Sequence, residues 1–230
     1  MNDLKLVIFD MAGTTVKDKG EVPDAFTAAL ADHDLSVTPA QLTSVRGSSK
    51  RQAVLHLTPV GPHRALRAEA IYLSFCSRLT QRYQTDGVTQ MEGATAIFRW
   101  LRSKDIRVAL NTGFDRDITT LLLTALQWQD DVVDAVICGD DVLQGRPAPY
   151  LIFHAMEATA ITDVRQVMNI GDTALDLLAA HNARVRWNIG VLSGAHTMEQ
   201  LEPAPHTQLL PSIAALPDLW NPLVPTSETR

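Results

Sequence analysis

Residues 4–15 read LKLVIFDMAGTT, and they decide which fold the chain can adopt. The apolar run that ends at Phe9 is typical of a short buried strand. Asp10 follows it directly, and a glycine and two threonines come after Met11 and Ala12. An α/β protein places a nucleophile or a metal ligand at such a strand end. Asp10 is therefore the first candidate functional residue.

Further short apolar runs alternate with segments that have helical periodicity. The runs cover residues 106–111, 135–138, 166–170 and 187–192. Strands that alternate with helices predict right-handed crossovers and a parallel sheet. The carboxyl ends of parallel strands lie at one edge of the sheet, where open α/β folds bind their ligands. We therefore expect Asp10, Thr112 and Asp172, which stand at or just after the ends of such runs, to share one site.

Residues 18–88 break this alternation, and we expect them to be helical. The residues of one apolar stripe on a long helix are Ala68, Tyr72, Phe75 and Leu79. An all-helical insert after the first strand predicts a cap domain over the site. Residues 1–17 and 89–216 would then form one discontinuous core domain. Residues 217–230, with three prolines, are predicted to be a loose tail.

The chain has 230 residues, of which 46% are hydrophobic and 20% charged, and its formal net charge is -6. This composition predicts a soluble globular protein. The acidic balance and the lack of a basic tract give no indication of nucleic-acid binding. No apolar run approaches the ~20 residues that span a bilayer, and the N-terminus lacks a secretory pattern, so we expect a cytoplasmic protein without membrane contact. Cys76 and Cys138 are expected to be free thiols.

Four short motifs follow one another along the chain: DMAGTT at 10–15, NTGF at 111–114, GRPAP at 145–149 and GDTALD at 171–176. In this order the set resembles the haloacid dehalogenase superfamily of hydrolases. The resemblance implies a Rossmann-like core with a cap inserted after the first strand. Ala12 stands where the superfamily's phosphatases have a second aspartate, which is their general acid and base. This difference narrows the resemblance to the phosphonoacetaldehyde hydrolases and their near relatives.

The resemblance also implies a role for each motif. Asp10 would attack phosphorus, and Mg²⁺ would remove the repulsion between this carboxylate and the anionic phosphorus group. Mg²⁺ prefers oxygen ligands, which Asp10, the backbone carbonyl of Ala12 and Asp172 would supply, with Asp176 bound directly or through a water. Other residues would hold the phosphorus group by charge or hydrogen bonds, namely Arg146, Thr14, Thr112 and the backbone at Gly113.

Lys50 is the candidate for a group that compensates for the missing acid. In the resembling hydrolases a cap lysine in a Gly-x-x-Lys segment forms an iminium with the substrate's aldehyde, which accepts the electrons of the breaking P–C bond. Gly47 and Lys50 have this spacing. The neighbouring cations Arg46 and Arg51, together with partial burial, would lower the pKa of Lys50 and give the free amine. The alternative interpretation is a solvated basic helix start.

The chain departs from the resembling family at several positions. Arg46 and Ala53 stand where that family has a methionine and a histidine, and Phe114 replaces a tyrosine. Arg46 is a candidate substrate ligand that would bind a carboxylate or a second phosphate. His56 is a candidate for the role of the missing histidine, with a packing or surface role as the alternative.

The resulting hypothesis is a Mg²⁺-dependent hydrolase that cleaves a small phosphonate, such as phosphonoacetaldehyde, through an aspartyl-phosphate. The alternative is a phosphatase of the same superfamily that acts on a small phosphorylated metabolite and has a better leaving group. A third hypothesis is a protein of this fold that only binds its ligand, against which the intact Asp10, Arg146 and Asp172 argue. No residue favours a dehydratase, a mutase or a dehalogenase. Pairing of two chains through the cap, as in the resembling family, is expected by analogy.

Overall fold

The computed structural model describes residues 3–129 and 131–220. Its centre is a six-stranded sheet in which every strand runs parallel to its neighbours. The strands are β1 (Leu6–Asp10), β2 (Arg107–Asn111), β3 (Ala135–Ile137), β4 (Val167–Gly171), β5 (Trp187–Val191) and β6 (Gln208–Leu210). Their spatial order is β3-β2-β1-β4-β5-β6, so β1 is central.

Nine α-helices in the described residues connect or cover these strands. They are α1 (Glu21–Ala31), α2 (Pro39–Ser44), α3 (Lys50–Leu57), α4 (Arg64–Asp86), α5 (Ala94–Arg102), α6 (Arg116–Leu126), α7 (Tyr150–Ala158), α8 (Ala174–Ala183) and α9 (Met198–Leu201). The first four lie between β1 and α5, which confirms the predicted helical insert after the first strand. That this insert is a separate domain with boundaries at 18 and 88 stays a prediction.

The sheet buries apolar side chains on both of its faces. Along β1, Val7 and Phe9 belong to the core on one face, and Leu6 and Ile8 belong to the core on the other. Helix α5 packs on the first face, and α7 and α8 pack on the second. A strand that is buried on both faces has a near-continuous apolar sequence. This is why β1 is recognisable in the amino-acid sequence.

The strand order places a crevice beside β1. From β1 the chain moves outward through β2 and β3, and it then returns to build β4, β5 and β6 on the other side. This is the doubly wound order with a switch point next to the first strand, which confirms the predicted fold class. Asp10 pairs in register with Asn111, and Phe9 pairs with Ile170. The residues that follow β1, β2 and β4 therefore meet at one edge of the sheet.

The insert has an apolar core of its own. The predicted stripe on α4 is confirmed, since Ala68, Tyr72, Phe75 and Leu79 are all buried. Phe75 meets Phe26 of α1 edge-on, with ring centroids 5.5 Å apart. Helices α1 and α3 both pack against α4. In the described ranges no helix, α4 included, combines the length and the apolar composition needed to cross a membrane.

Two features at the end of the chain differ from expectation. Strand β6, which is only three residues long, was not predicted from the sequence. A 3₁₀-helix covers Ile213–Trp220, so the prediction of a loose tail is wrong for residues 217–220. Trp220 contacts Trp100 of α5, with ring centroids 4.8 Å apart. Residues 221–230 of the predicted tail lie outside the described residues.

Candidate active site

Three aspartates converge at the crevice beside β1. Asp10 is the last residue of β1, Asp172 follows β4, and Asp176 lies in the first turn of α8. One carboxylate oxygen from each lies within 4.8 Å of the others, and all three side chains are buried. The structure thus brings together the carboxylates that the sequence analysis assigned to a metal. Hard oxygen ligands at this spacing are suited to a shared divalent cation.

Asp172 is held in position from both sides. Its Oδ1 accepts a hydrogen bond from the Thr14 hydroxyl at 3.2 Å, and its Oδ2 accepts one from the Ala195 N–H at 2.6 Å. Two glycines make room for it. A Cβ on Gly13 would lie 2.3 Å from Oδ2 of Asp172, and a Cβ on Gly194 would lie 2.0 Å from the same atom. Both positions therefore exclude side chains so that the carboxylate can face Asp10.

Asp176 is fixed by the start of its own helix. Its Oδ2 accepts hydrogen bonds from the N–H and the hydroxyl of Thr173, and its own N–H donates to that hydroxyl oxygen. This reciprocal pair is a capping box at the N-terminus of α8. Gly171 allows the close approach, since a Cβ there would lie 2.3 Å from the Cβ of Asp176.

Arg146 is the buried cation of the cluster. Its Nη2 lies 2.8 Å from Oδ1 of Asp10, and its Nε lies 3.0 Å from Oδ1 of Asp176. The same guanidinium donates to the side-chain and backbone oxygens of Asn111, and to the carbonyl of Gly47 at 3.2 Å. Arg146 therefore ties β1, β2 and α8 to the helical insert.

The electrostatics of the cluster favour one more positive charge. Burial raises the pKa of Asp10 to about 6, against the opposing effect of the Arg146 guanidinium. Burial, together with the charges of Asp10 and Asp176, raises the pKa of Asp172 well above its ordinary value. Buried carboxylates acquire raised pKa values when desolvation and like charge are not compensated. A divalent cation among the three aspartates would supply that compensation.

Lys50 enters the same region from the insert. It is the first residue of α3, and its backbone N–H donates to the carbonyl of Gly113 at 3.0 Å. Its Nζ lies 5.3 Å from the centroid of the Phe114 ring. Burial lowers the pKa of Lys50, while the negative charge of Asp10 opposes this shift. The lowered pKa agrees in direction with the prediction of a more readily deprotonated amine.

A cavity of about 80 Å³ lies between the insert and the edge of the sheet. The predicted site residues on its wall are Asp10, Ala12, Arg46, Lys50, Thr112, Gly113, Arg146 and Asp172. The hydroxyl oxygen of Thr112 accepts a hydrogen bond from the Phe114 N–H at 3.1 Å, so its own proton can be donated to a ligand. The remaining wall is largely apolar and includes Phe26 and Val45.

Two predicted roles find no support in the geometry. Thr14 does not line the cavity, because its hydroxyl turns to Asp172 instead of to a substrate oxygen. The short loop between Gly13 and Val16 buries this side chain beside the aspartate. His56 is exposed in the last turn of α3 and does not line the cavity either. Ala53, three residues after Lys50, lines the cavity instead.

Several residues of the site were missed by the sequence analysis. Asp18 lines the cavity, and its carboxylate accepts hydrogen bonds from the N–H groups of Gly20 and Val22 at the start of α1. A capping aspartate just before a helix is visible in a sequence, but its proximity to Lys50 is not. Asn111 could have been found from its place at the end of β2. Ala195 acts through its backbone, so its residue type carries no signal.

The fold and the acidic site define a class of protein: a doubly wound α/β protein with a metal-type carboxylate cluster at its switch point. The family model for haloacid dehalogenase-like hydrolases matches residues 7–189 of the chain. This match covers all four motifs and most of the sheet. The chain belongs to the haloacid dehalogenase-like hydrolase family.

The chain is also similar to individual proteins. It is 28% identical over 212 residues to a phosphonoacetaldehyde hydrolase from Parabacteroides distasonis, covering 86% of this chain and 80% of the relative. It is 25% identical over 226 residues to a phosphonoacetaldehyde hydrolase from Bacteroides fragilis, covering 90% and 82%.

Solved structures share the fold at lower identity. A hydrolase from Pseudomonas syringae superposes with a TM-score of 0.81 at 21% identity, covering 96% of this chain and 100% of the other. A phosphonoacetaldehyde hydrolase-like protein from Oleispira antarctica superposes with a TM-score of 0.83 at 18% identity, covering 95% and 92%. At these identities the superpositions show a common fold.

Proposed function

We propose that this hydrolase is Mg²⁺-dependent and cleaves the P–C bond of a small phosphonate such as phosphonoacetaldehyde. The observation that carries the proposal is the meeting of Lys50 and Asp10 in one cavity, with Ala12 where a phosphatase would have its acid. The names of the relatives at 24–28% identity support the same reaction. The free thiols Cys76 and Cys138 are in keeping with a reducing compartment, so we place the reaction in the cytoplasm.

The donor set fits Mg²⁺. Asp10 and Asp172 offer carboxylate oxygens, and the carbonyl of Ala12 accepts no hydrogen bond from any residue that the structure describes. Both oxygens of Asp176 are already engaged by Thr173 and Arg146, which favours its contact through a water. When bound, Mg²⁺ would neutralise charge between the nucleophile and the phosphorus group.

The residues of the chain divide the reaction between them. The Lys50 amine adds to the substrate's carbonyl carbon, and loss of water gives an iminium. Asp10 attacks phosphorus, the P–C bond breaks, and its electron pair passes into the iminium to give an enamine. Protonation and hydrolysis of the enamine free Lys50, and a second water hydrolyses the aspartyl-phosphate. Arg146, Thr112 and the N–H groups near Gly113 would hold the phosphoryl oxygens.

The test is phosphate release from phosphonoacetaldehyde by the wild type and by Lys50→Arg. Arginine keeps the charge but forms no imine, so activity should fall by several orders of magnitude. Borohydride added during turnover should leave a mass adduct on Lys50. The matched control is Lys104→Arg in the exposed turn after α5, which should retain activity. An active Lys50→Arg variant would refute the imine step.

A second candidate is a phosphomonoesterase that acts on a small phosphorylated metabolite. The observation that favours it is the presence of Ala53 and Phe114 on the cavity wall, where the resembling family has a histidine and a tyrosine. A parallel screen of phosphate esters and phosphonoacetaldehyde separates the candidates. Ala12→Asp should increase ester hydrolysis and should not increase phosphonate cleavage, because only the ester's leaving oxygen needs a proton. Pairing of two chains into a homodimer, which is expected by analogy with the resembling family, remains a prediction.

A further inference from the structure

Arg46 holds a positive charge at the cavity without an anionic partner. Its Nη1 donates a hydrogen bond to the carbonyl of Ala195 at 3.3 Å. In the described part of the chain this is the only hydrogen bond that the guanidinium makes. No carboxylate of residues 3–129 or 131–220 lies within 4.0 Å of its guanidinium nitrogens. Arg146, by contrast, is paired with Asp10 and Asp176. Most of the Arg46 donors are therefore available to a ligand.

The backbone of Ala195 fixes where this charge lies. The Ala195 N–H donates to Oδ2 of Asp172 at 2.6 Å, while its carbonyl accepts from Arg46. Only the backbone of Ala195 separates the guanidinium from Asp172 of the acidic cluster, and Arg46 lies on the side of the insert. Its positive charge also contributes to a lowered pKa of His196, after burial as the main cause. Arg46 therefore lies on the Asp172 side of the acidic cluster, outside the ion pair that Arg146 makes with Asp10.

The rest of the cavity wall limits what Arg46 can bind. The volume of about 80 Å³ admits a molecule of a few carbon atoms. The side chains of Val22, Phe26, Val45 and Phe114 give the wall an apolar surface that suits a short hydrocarbon segment. A planar guanidinium at the end of such a wall matches a carboxylate, which it can bind through two parallel hydrogen bonds.

We propose that the substrate carries a carboxylate in addition to its phosphorus group, and that Arg46 binds this carboxylate. The inference rests on the proposed phosphorus chemistry of the site and specifies its substrate class. For P–C cleavage the class is a 2-oxo acid with a phosphonate on the carbon next to the carbonyl. For ester hydrolysis it is a phosphorylated hydroxy acid.

The first of these classes is compatible with the chemistry of Lys50. A keto carbon that bears a carboxylate still lies two bonds from phosphorus, so its iminium accepts the electron pair of the breaking P–C bond. The enamine that forms takes a proton at carbon, and water then releases a 2-oxo acid from Lys50. The phosphoryl group passes to Asp10 and then to a second water. Two waters are consumed, one is released in forming the iminium, and no oxidant or reductant is needed.

The test compares the binding of two inert phosphonates in the presence of Mg²⁺ by titration calorimetry. Phosphonoacetate carries the carboxylate, and ethylphosphonate has a methyl group in its place. The wild type should bind phosphonoacetate roughly 10- to 100-fold more tightly, as expected for a charge-assisted bidentate contact. In Arg46→Met this preference should disappear. Arg82→Met, which removes an equal charge from the exposed face of α4, should retain it.

Two outcomes overturn the proposal. One is a wild type that does not bind phosphonoacetate more tightly than ethylphosphonate. The other is an Arg46→Met variant that keeps the wild-type preference while its circular dichroism spectrum is unchanged. Failure of the proposed P–C cleavage is distinguishable, because it appears as no phosphate release from either phosphonoacetaldehyde or 3-phosphonopyruvate. The ratio of the two affinities reports on Arg46 whether or not either compound is turned over.

Discussion

Asp10 is a buried carboxylate, and burial is the main cause of its raised pKa. Asp172 and Asp176 lie beside it, and Arg146 is its direct ion-pair partner. Its pKa of about 6 in the folded protein lies above the value of roughly 3.9 for an unfolded chain. The metal-free folded state therefore holds a proton on Asp10 more tightly, and this contribution to stability is lost as pH rises from about 4 through about 6.

Stabilisation by Mg²⁺ should depend on pH in the opposite direction. The cation must displace the proton on Asp10, so the rise in Tm on adding Mg²⁺ should grow between about pH 5 and pH 7 and level off above. Thermal denaturation with millimolar Mg²⁺ and with a chelator at each pH measures this difference. Asp10→Asn should largely abolish the Mg²⁺-induced rise. A rise that is constant from pH 5 to pH 8 would contradict the assignment of Asp10 as a ligand.

A second prediction at the scale of one residue concerns Gly13. Its φ is +91°, and a Cβ there would lie 2.3 Å from Oδ2 of Asp172. Gly13→Ala should therefore displace Asp172 and reduce kcat/KM roughly 100-fold or more. Backbone strain should also lower the free energy of unfolding by about 1–2 kcal/mol. Phosphate release and urea denaturation measure the two effects.

Gly93 provides the matched control for Gly13. It also has a positive φ, of +77°, but a Cβ there has no atom within 4 Å. Gly93→Ala should lose a similar free energy of unfolding through backbone strain and keep its activity. If both alanine variants lose activity equally, the contact between Gly13 and Asp172 is not what positions the aspartate.

Functional residues could be predicted from the sequence where they lie at the end of a predicted strand. Asp10 and Asp172 could be placed together because parallel strands end at one edge. The position of Thr14 could not be predicted, since its orientation depends on the loop that turns its hydroxyl to Asp172. Asp18 was missed because its proximity to the cavity follows from how α1 meets the sheet. Contacts across long sequence separations leave no local pattern.

At the scale of elements, α3 joins the helical insert to the sheet. Arg51 extends from α3 to Asp115 at the start of α6, with Nη2 and Oδ2 3.1 Å apart. It also contacts Glu69 of α4, and its guanidinium lies 4.1 Å from the centroid of the Tyr72 ring. Arg51 thus links α3 and α4 of the insert to α6, the helix that follows β2. It does not line the cavity with Lys50.

Arg51→Met should weaken substrate binding without changing the chemistry. Arg51 is about half exposed in both ion pairs, and pairs with an exposed member contribute roughly 0.2–1 kcal/mol, so KM should rise about two- to fivefold. Steady-state kinetics on the substrate found in the screen measures this change, and kcat should change less. Added salt should raise KM of the wild type more than that of the variant. Arg82→Met, whose partners Asp24 and Asp86 both belong to the insert, should leave KM unchanged.

Which elements could be predicted follows from their length and burial. β1 has a continuous apolar sequence because it is covered on both faces, and α4 shows a stripe because one face packs on α1 and α3. β6 has three residues, and its two leucines are too short a run to indicate a strand. The 3₁₀-helix Ile213–Trp220 contains a proline, which argues against a helix when only the sequence is considered. Such elements form because their apolar side chains pack against the rest of the core, and not because of their local sequence.

At the scale of the whole molecule, the sheet has one face covered by α7 and α8 and another covered by α5 and the 3₁₀-helix. The alternation of strands and helices predicts a parallel sheet, but the two-sided layering requires the positions of all crossovers. Leu216 shows the consequence. It is the last residue before the predicted loose tail, and it is fully buried against the first face.

Leu216→Ala should therefore destabilise the whole molecule. Removing a fully buried leucine side chain lowers the free energy of unfolding by roughly 2–5 kcal/mol and Tm by roughly 4–20 °C. Leu143→Ala is the matched control, because Leu143 is fully exposed and its loss should change the free energy of unfolding by no more than about 0.5 kcal/mol. Urea denaturation followed by tryptophan fluorescence measures both variants. If Leu216→Ala unfolds at the same urea concentration as Leu143→Ala, the 3₁₀-helix is not part of the core, and the loose tail predicted from the sequence begins before Pro217.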